Sequence, residues 1–395
     1  MGYQTRMTII DPLDLTCALV RRASVTPKDE GALDVLSQTL EAIGFRCKTM
    51  TFEETGADPV RNLYARWGED EPVFCFAGHT DVVPAGDESE WSAPPFEPTQ
   101  KDGRLYGRGV ADMKGAIAAF AAAAERAIAK RPRGSIVMMI TGDEEGPAIN
   151  GTKKLLDWMA GESENISHCL VGEPSSSEKL GDMLKVGRRG SMNCWLTVFG
   201  AQGHVAYPAR ANNPIPALLK KLLTLSENAL DGGYENFQPS NLQITDIHVG
   251  NPAANVIPSR AAARFNIRFN PNWTGETLEA FLRASLDAAA AAAGVRYELS
   301  AVCSGGAFLT TDETFIDLVT GVIEDRTGFA PERSTSGGTS DARFIKDFAP
   351  VCEFGLVGET IHKVDEHAAI ADIRSLADIY ETILDRYFGA FGGRA

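Results

Sequence analysis

The sequence has no apolar run approaching the ~18 residues that a membrane helix needs, which excludes a protein spanning a bilayer by helices. It is short of positive charge. Lys and Arg number 38 against 53 Asp and Glu, a net charge of −15. A chain this acidic repels a phosphate backbone, so no nucleic-acid partner is expected. Cysteine is sparse: the seven, at 17, 47, 75, 169, 194, 303 and 352, include no Cys-x-x-Cys pair. The opening Met1-Gly2-Tyr3-Gln4-Thr5-Arg6 reaches Asp11 without an apolar core, and Arg6 stands where a myristoylation signal wants Ser or Thr. A scattered, odd cysteine count without a leader predicts reduced thiols and a cytoplasmic protein. His-Glu-x-x-His and Gly-x-Ser-x-Gly are both missing, so neither a zincin nor an esterase elbow is present. Gly146-x4-Gly151-Thr152-Lys153 approaches a phosphate loop but has Thr and Lys in the wrong order.

What is there is ordinary globular composition, 44% hydrophobic and 23% charged over 395 residues. That length suggests two domains. In the first half, strand-like runs at Pro72–Ala77, Ser135–Ile140 and His168–Val171 alternate with helical patterns at Leu33–Ile43, Met113–Lys130 and Lys153–Met159. Asp112 is placed to cap the second of these helices. The alternation predicts an α/β layer with a mostly parallel sheet. The middle reads β-α-β-β-α-β: Asn193–Phe199, Ile215–Leu230, Asn241–Val249, Ala261–Phe269, Gly275–Ala293 and Val295–Val302. That is the order of the ferredoxin-like split fold. Helical Glu313–Arg326 and Asp372–Phe388, with a strand at Val351–Phe354, return to α/β character. The expected architecture is a catalytic domain built from 1–189 and 304–395, interrupted by a βαββαβ lid at 190–303.

Acidic and imidazole residues follow directly after the three strands: His79 and Asp81, then Asp143, Glu144 and Glu145, then Glu173. Open α/β sheets form their sites beyond the carboxyl ends of the strands. Asp112 adds a carboxylate from a helix start. Asp81, Asp112, Glu144, Glu145 and Glu173 brought together would repel strongly, and two divalent cations would neutralise four of those five charges. Mixed His and carboxylate ligation suits zinc, and also cobalt or manganese. The bland alternative for any one cluster is a solvated loop.

Gly78-His79-Thr80-Asp81-Val82-Val83-Pro84, Gly107-Arg108-Gly109-Val110-Ala111-Asp112-Met113-Lys114-Gly115 and Thr141-Gly142-Asp143-Glu144-Glu145-Gly146 together resemble the aminoacylase/glutamate-carboxypeptidase family of two-metal amidohydrolases. Gly187-Arg188-Arg189-Gly190-Ser191, Gly203-His204-Val205-Ala206-Tyr207-Pro208, Asn255-Val256-Ile257-Pro258, Gly338-Thr339-Ser340-Asp341-Ala342-Arg343 and Ile361-His362-Lys363-Val364-Asp365-Glu366 extend the resemblance to about residues 10–390. It implies that Asp112 bridges two ions, zinc or alternatively cobalt. His79 and Glu173 would complete one ion, and Glu145 and His362 the other. Glu144 would be the general base, and Asp81 would orient the His79 ring. His204 would donate to the oxyanion from the lid of a partner subunit, making a homodimer. His367 is the rival of His362, and the family pattern selects His362. His168 and His248 read as structural.

The resemblance further implies hydrolysis of a linear amide carrying three carboxylates and an ammonium. On an acidic protein such a substrate needs arginine forks. Arg188, Arg189, Arg268 and Arg343 are the candidates, with Ser191, Tyr207, Asn255, Gly338 and Thr339 as neutral partners. Gly358 stands four residues before His362, where some members carry Asn, so that side-chain contact is absent. A sister amidohydrolase, such as a deacetylase of acetylornithine or a dipeptidase, would share the metals without the full Arg188/Arg189 and Ile361–Val364 context. A non-catalytic protein on the same fold would be expected to lack Glu144 or a ligand, and this chain has them all.

Overall fold

The computed structural model describes residues 10–393 apart from Asn228, so the opening segment weighed above for a leader lies outside the described residues. The chain forms two compact units. One contains the described residues up to Val186, Thr310–Ser334 and the chain from Ser340; the other is Gly187–Leu309 with Thr335–Thr339. The insert therefore starts at 187 rather than 190 and ends at 309 rather than 303. A short antiparallel pair, Gly187–Arg188 with Phe308–Leu309, closes its two ends on each other. Thr335–Thr339 joins the insert through tertiary contacts: Thr335 Oγ1 donates to the Asn236 carbonyl at 2.6 Å, and Arg188 Nη1 to the Gly338 carbonyl at 3.1 Å.

The catalytic unit holds an eight-stranded mixed sheet in the order Arg46–Glu54, Ala57–Trp67, Ser135–Thr141, Val73–His79, His168–Val171, Val351–Glu353, Met183–Lys185, Glu332–Ser334. Its centre is parallel: Val73–His79 pairs in parallel with both Ser135–Thr141 and His168–Val171, which pairs in parallel with Val351–Glu353. These central strands are buried over their whole length, as continuous apolar runs in a sheet covered on both faces should be. Helix Gly115–Ala129 consists largely of alanine, the strongest helix former, and is buried almost throughout. Its one aromatic side chain, Phe120, stacks on Phe76 with ring centroids 4.3 Å apart and on Phe74 at 6.1 Å. Tyr380, from helix Ile370–Phe391, meets Phe76, Phe120 and Phe354 edge-on. Asp112 does not cap the alanine helix. Lys114 occupies the cap position, and Asp112 has extended main-chain angles (φ −123°, ψ 94°) that turn its carboxylate elsewhere.

The lid unit has the sheet order Asn241–His248, Arg260–Phe269, Gly190–Phe199, Arg296–Gly305, with every neighbouring pair antiparallel. With helices Pro214–Glu227 and Gly275–Ala293 this is the ferredoxin-like βαββαβ arrangement. Period-2 alternation points Met192, Cys194, Leu196 and Val198 inward, with Ala261, Ala263, Phe265 and Ile267 beside them. Leu218, Leu222 and Leu225 of one helix and Leu278, Leu282 and Leu286 of the other close that core at helical spacing.

Candidate metal centre

The three central strands end level with one another. His79 lies opposite Thr141, and Ala77 opposite Val171, so the residues that follow emerge at one edge. Two glycines make the convergence possible. A Cβ on Gly78 would lie 2.4 Å from Met113 Cε, and one on Gly172 would lie 2.4 Å from Phe76 Cζ and 2.7 Å from Met113 Cε. Glycine immediately before His79 and before Glu173 thus lets the segment carrying Asp112 and Met113 lie against both strand ends.

Asp112 sits between two groups. Its Oδ1 is 3.2 Å from His79 Nε2, which is 3.8 Å from Glu173 Oε1. Its Oδ2 is 3.3 Å from His362 Nε2, which is 2.9 Å from Glu145 Oε1. Among the described residues, just two groups could hold an ion, His79/Asp112/Glu173 and Asp112/Glu145/His362, with the donor atoms of each within 4.8 Å of one another. The donors fit zinc. Two ligands at ~2.0–2.1 Å from a tetrahedral ion stand ~3.3 Å apart, close to the separations found here. Hydrogen bonds to Asp112 and Glu145 push the pKa of His362 up to about 10. Burial opposes the charged form of His79, but Asp112, Asp81 and Glu173 hold its pKa well above the ordinary value. Burial likewise acts to raise Asp112, and the two imidazoles overcome it and hold the carboxyl low. Burial and the neighbouring Glu173 charge raise Glu144 well above the carboxylate range.

Asp81 meets the His79 ring through its main chain as well as its side chain. His79 Nδ1 hydrogen-bonds the Asp81 main-chain carbonyl at 2.9 Å, while the nearer Asp81 carboxylate oxygen is 3.6 Å away. The carboxylate also accepts from the main-chain N–H of Glu144 (3.3 Å) and Glu145 (3.0 Å), and burial pushes its pKa up to about 6. Asp143 Oδ2 accepts from the N–H groups of Ile149 and Asn150, closing the acidic loop from its other side. Sequence reasoning assigned Glu366 no role, although it ends the motif that carries His362. Its buried carboxylate receives Arg108 and the main chain leading into Asp112. His367 bonds its ring to the Asp365 carbonyl and lies tilted against Tyr106, and it belongs to neither group that could hold an ion. His168 spans Tyr387 and Asp312. At Gly358 a Cβ would come within 2.9 Å of the Pro174 carbonyl, so the site leaves little room for a side chain there.

The remaining candidates lie in the lid unit, apart from Arg343. Arg188, Arg189 and Arg268 gather: burial, with the charges of Arg189 and Arg188, pulls the Arg268 pKa below its ordinary value. Buried Arg268 Nη1 and Arg189 Nε have no hydrogen-bond partner among the described residues. Ser191, opposite Arg268 in the sheet, accepts from Asn266 Nδ2 at 3.3 Å. His204 is exposed, and its Nδ1 accepts from Ala206 N–H at 3.1 Å. Tyr207 is exposed beside it, the Asn255 carbonyl accepts from Val205 N–H, and Thr339 is half-buried next to Gly338. In the catalytic unit, the Arg343 guanidinium stands 4.6 Å over the Phe344 ring, and its Nε has no partner among the described residues.

The fold and the paired triads define a class, and comparison with known proteins agrees. The chain belongs to peptidase family M20/M25/M40, whose profile matches residues 75–386. It is a metallo-amidohydrolase. The succinyl-diaminopimelate desuccinylase of Parvibaculum lavamentivorans is 54% identical over 385 residues, covering 98% of this chain and 97% of its own. The protein of the same name from Rhodospirillum centenum is 56% identical over 380 residues, covering 96% and 97%. Among solved structures, aminopeptidase PepT of Bacillus cereus superposes with a TM-score of 0.78 at 18% identity, covering 95% of this chain and 99% of that one. A dinuclear metal-binding peptidase of the M20 family from Bacillus subtilis gives 0.70 at 15% identity, covering 96% and 98%. At such identities the structures speak for the fold. No helix among the described residues is long and apolar enough to cross a membrane.

Proposed function

We propose that the chain hydrolyses the amide of N-succinyl-L,L-2,6-diaminopimelate to succinate and L,L-2,6-diaminopimelate, a step of lysine and cell-wall precursor biosynthesis. The observation that carries the reading is the pair of triads sharing Asp112 with Glu144 half-buried beside them, in a chain more than half identical to the desuccinylases above. His79, Glu173 and Asp112 would hold one divalent ion and Asp112, Glu145 and His362 the other, zinc or alternatively cobalt. Bound there, such ions acidify water and polarise a carbonyl.

The protein's own residues do the rest. Glu144 takes a proton from the water whose oxygen joins the amide carbon. It returns that proton to the nitrogen as the C–N bond breaks, so succinate leaves as the acid product and the amine leaves neutralised. Asp81 holds Glu144 and Glu145 by their main-chain N–H groups, and its carbonyl fixes the His79 ring. Arg188, Arg189, Arg268 and Arg343 receive the substrate carboxylates, with Ser191, Tyr207, Asn255, Gly338 and Thr339 as neutral contacts. The unpartnered guanidinium nitrogens in the lid support that assignment, because buried donors without acceptors await an anion. His204 supplies the oxyanion donor from the lid of a second copy. Support for the homodimer comes from the lid surface: Leu219 and Leu223 on one helix and Ile244 and Ile247 on an edge strand are exposed. An open, apolar edge strand is a template for pairing with another chain. A cytoplasmic setting, with the seven cysteines kept as thiols, is part of the proposal.

The test is an amide-cleavage assay comparing N-succinyl-L,L-diaminopimelate with N-acetylornithine, on chelator-stripped protein and after zinc is restored. Zinc-dependent cleavage of the succinyl substrate is expected. Preference for N-acetylornithine would move the chain to a sister amidohydrolase.

A further inference from the structure

The Glu366 carboxylate is 1% exposed and gathers four donors. Oε2 accepts from Arg108 Nη1 at 2.7 Å and Gly109 N–H at 2.9 Å. Oε1 accepts from the N–H groups of Ala111 at 3.0 Å and Asp112 at 3.2 Å. The Glu366 main-chain carbonyl adds a bond from Gly107 N–H at 2.9 Å. One residue therefore grips the main chain that leads into the bridging aspartate.

That grip matters because the one turn spanning Asp112, closed by Lys114 N–H on the Gly109 carbonyl at 2.9 Å, does not hold it in helical geometry. Asp112 and Met113 both lie outside helical geometry, so no helical ladder fixes them. A bridge also needs both carboxylate oxygens placed at once, Oδ1 toward His79 and Oδ2 toward His362. Glu366 reaches the second triad as well, through the chain. It lies four residues after His362, and the intervening Asp365 is anchored at Oδ1 by Ser92 N–H (2.8 Å) and Ser92 Oγ (3.0 Å).

We infer that Glu366 is a positioning residue for the metal pair: it sets the bridging carboxylate through the Ala111 and Asp112 N–H groups, and ties that bridge to His362 through the segment they share. The inference rests on the proposed two-ion site and not on the identity of the substrate. Partners that orient ligands of an ion commonly change metal affinity ~10–100-fold when altered.

The experiment is zinc titration of substrate-free protein in competition with a chromogenic chelator, with zinc per chain counted by elemental analysis. Glu366→Gln keeps the volume but sets an amide NH2 against main-chain N–H groups. It is expected to weaken at least one ion by ~10–100-fold. Glu366 also neutralises buried Arg108, and a purely structural role would act through that ion pair alone. Arg108→Met combined with Glu366→Met separates the two, because it leaves no unpaired buried charge. Positioning predicts that zinc binding stays weak in the double variant whatever happens to its thermal midpoint. Two ions bound with parental affinity by that variant overturn the inference. The double variant also carries the measurement if Glu366→Gln does not fold. Because binding is read without substrate, an error in the proposed substrate does not enter the result.

Discussion

Replacing Asp81 by Asn tests whether this residue acts through its carboxylate on the Glu144–Glu145 loop or on the His79 ring. The carboxylate accepts two main-chain N–H groups, at 3.3 and 3.0 Å, in full burial. An amide keeps one acceptor oxygen and turns an NH2 toward the other donor, so one charge-assisted hydrogen bond is lost. Such bonds contribute about 1.5–3 kcal/mol. If that energy is what holds Glu144 over the reacting water, tenfold per 1.36 kcal/mol gives a fall in kcat of about 10- to 150-fold. The His79 ring should be undisturbed, because its Nδ1–H donates to a main-chain carbonyl that the substitution leaves in place. The assay is steady-state cleavage at saturating zinc, with 15N NMR of the histidine side chains to read the His79 tautomer. A kcat fall of this size with the Nδ1–H tautomer retained is expected. A tautomer switch at His79, or a loss of zinc from the His79/Glu173 group alone, would refute the reasoning and leave the Asp81 carboxylate as the ring orienter.

Glu144→Gln preserves shape and removes proton acceptance, so turnover should drop by about 10²–10⁴-fold with zinc content unchanged, as elemental analysis would show. Loss of one ion instead would mean that Glu144 and Glu145 have exchanged roles. Hybrid dimers of a His204→Ala subunit with a Glu144→Gln subunit should recover up to half of normal activity if His204 acts across an interface. Inactive hybrids of verified dimeric state would refute the shared site and leave the metal chemistry standing. In the lid, Asp231 Oδ1 accepts from Gly233 N–H, Ser240 N–H and Asn270 Nδ2, and Oδ2 from Trp273 Nε1. Burial opposes its charge, but these donors, Ser240 and Gly233 foremost, hold its pKa below the ordinary value. Asp231→Asn should therefore cost about 1.5–3 kcal/mol at neutral pH by denaturant titration. A depressed pKa stabilises above the unfolded value of ~3.9 and is lost as pH falls through the folded one, so the gap between parent and variant should close below about pH 4. A gap that is constant with pH would refute the assignment.

Much of the architecture was legible because its signals are local. The buried strands Val73–His79, Ser135–Thr141 and His168–Val171 are continuous apolar runs, and the insert alternates with period 2 on strands and closes with leucines at helical spacing. Other elements carried weak signals. Arg46–Glu54 and Ala57–Trp67, which extend the sheet antiparallel, mix charged and apolar residues at a partly exposed edge. The three-residue strands Thr99–Lys101, Arg104–Tyr106 and His367–Ala369 are too short for any periodicity. Helix Pro12–Val20 went unread although Asp11 caps it. The converse error was Asp112, whose position before an alanine run looks like a cap when only local spacing is considered.

The sequence by itself determined the chemistry available to this protein. It placed an imidazole and several carboxylates directly after three buried parallel strands, and strand ends in such a sheet face one crevice. The tertiary structure decided which atom serves which purpose. That the two oxygens of Asp112 face different imidazoles, that the carbonyl of Asp81 hydrogen-bonds the His79 ring, and that Glu366 holds the main chain of Asp112 are matters of side-chain direction. Glu366 and Asp112 are 254 residues apart, so their hydrogen bond leaves no periodic trace in the chain. Periodicity reports which face of an element is buried. It does not report which lone pair a distant N–H will find once that face has packed, because that choice is made only when the elements meet.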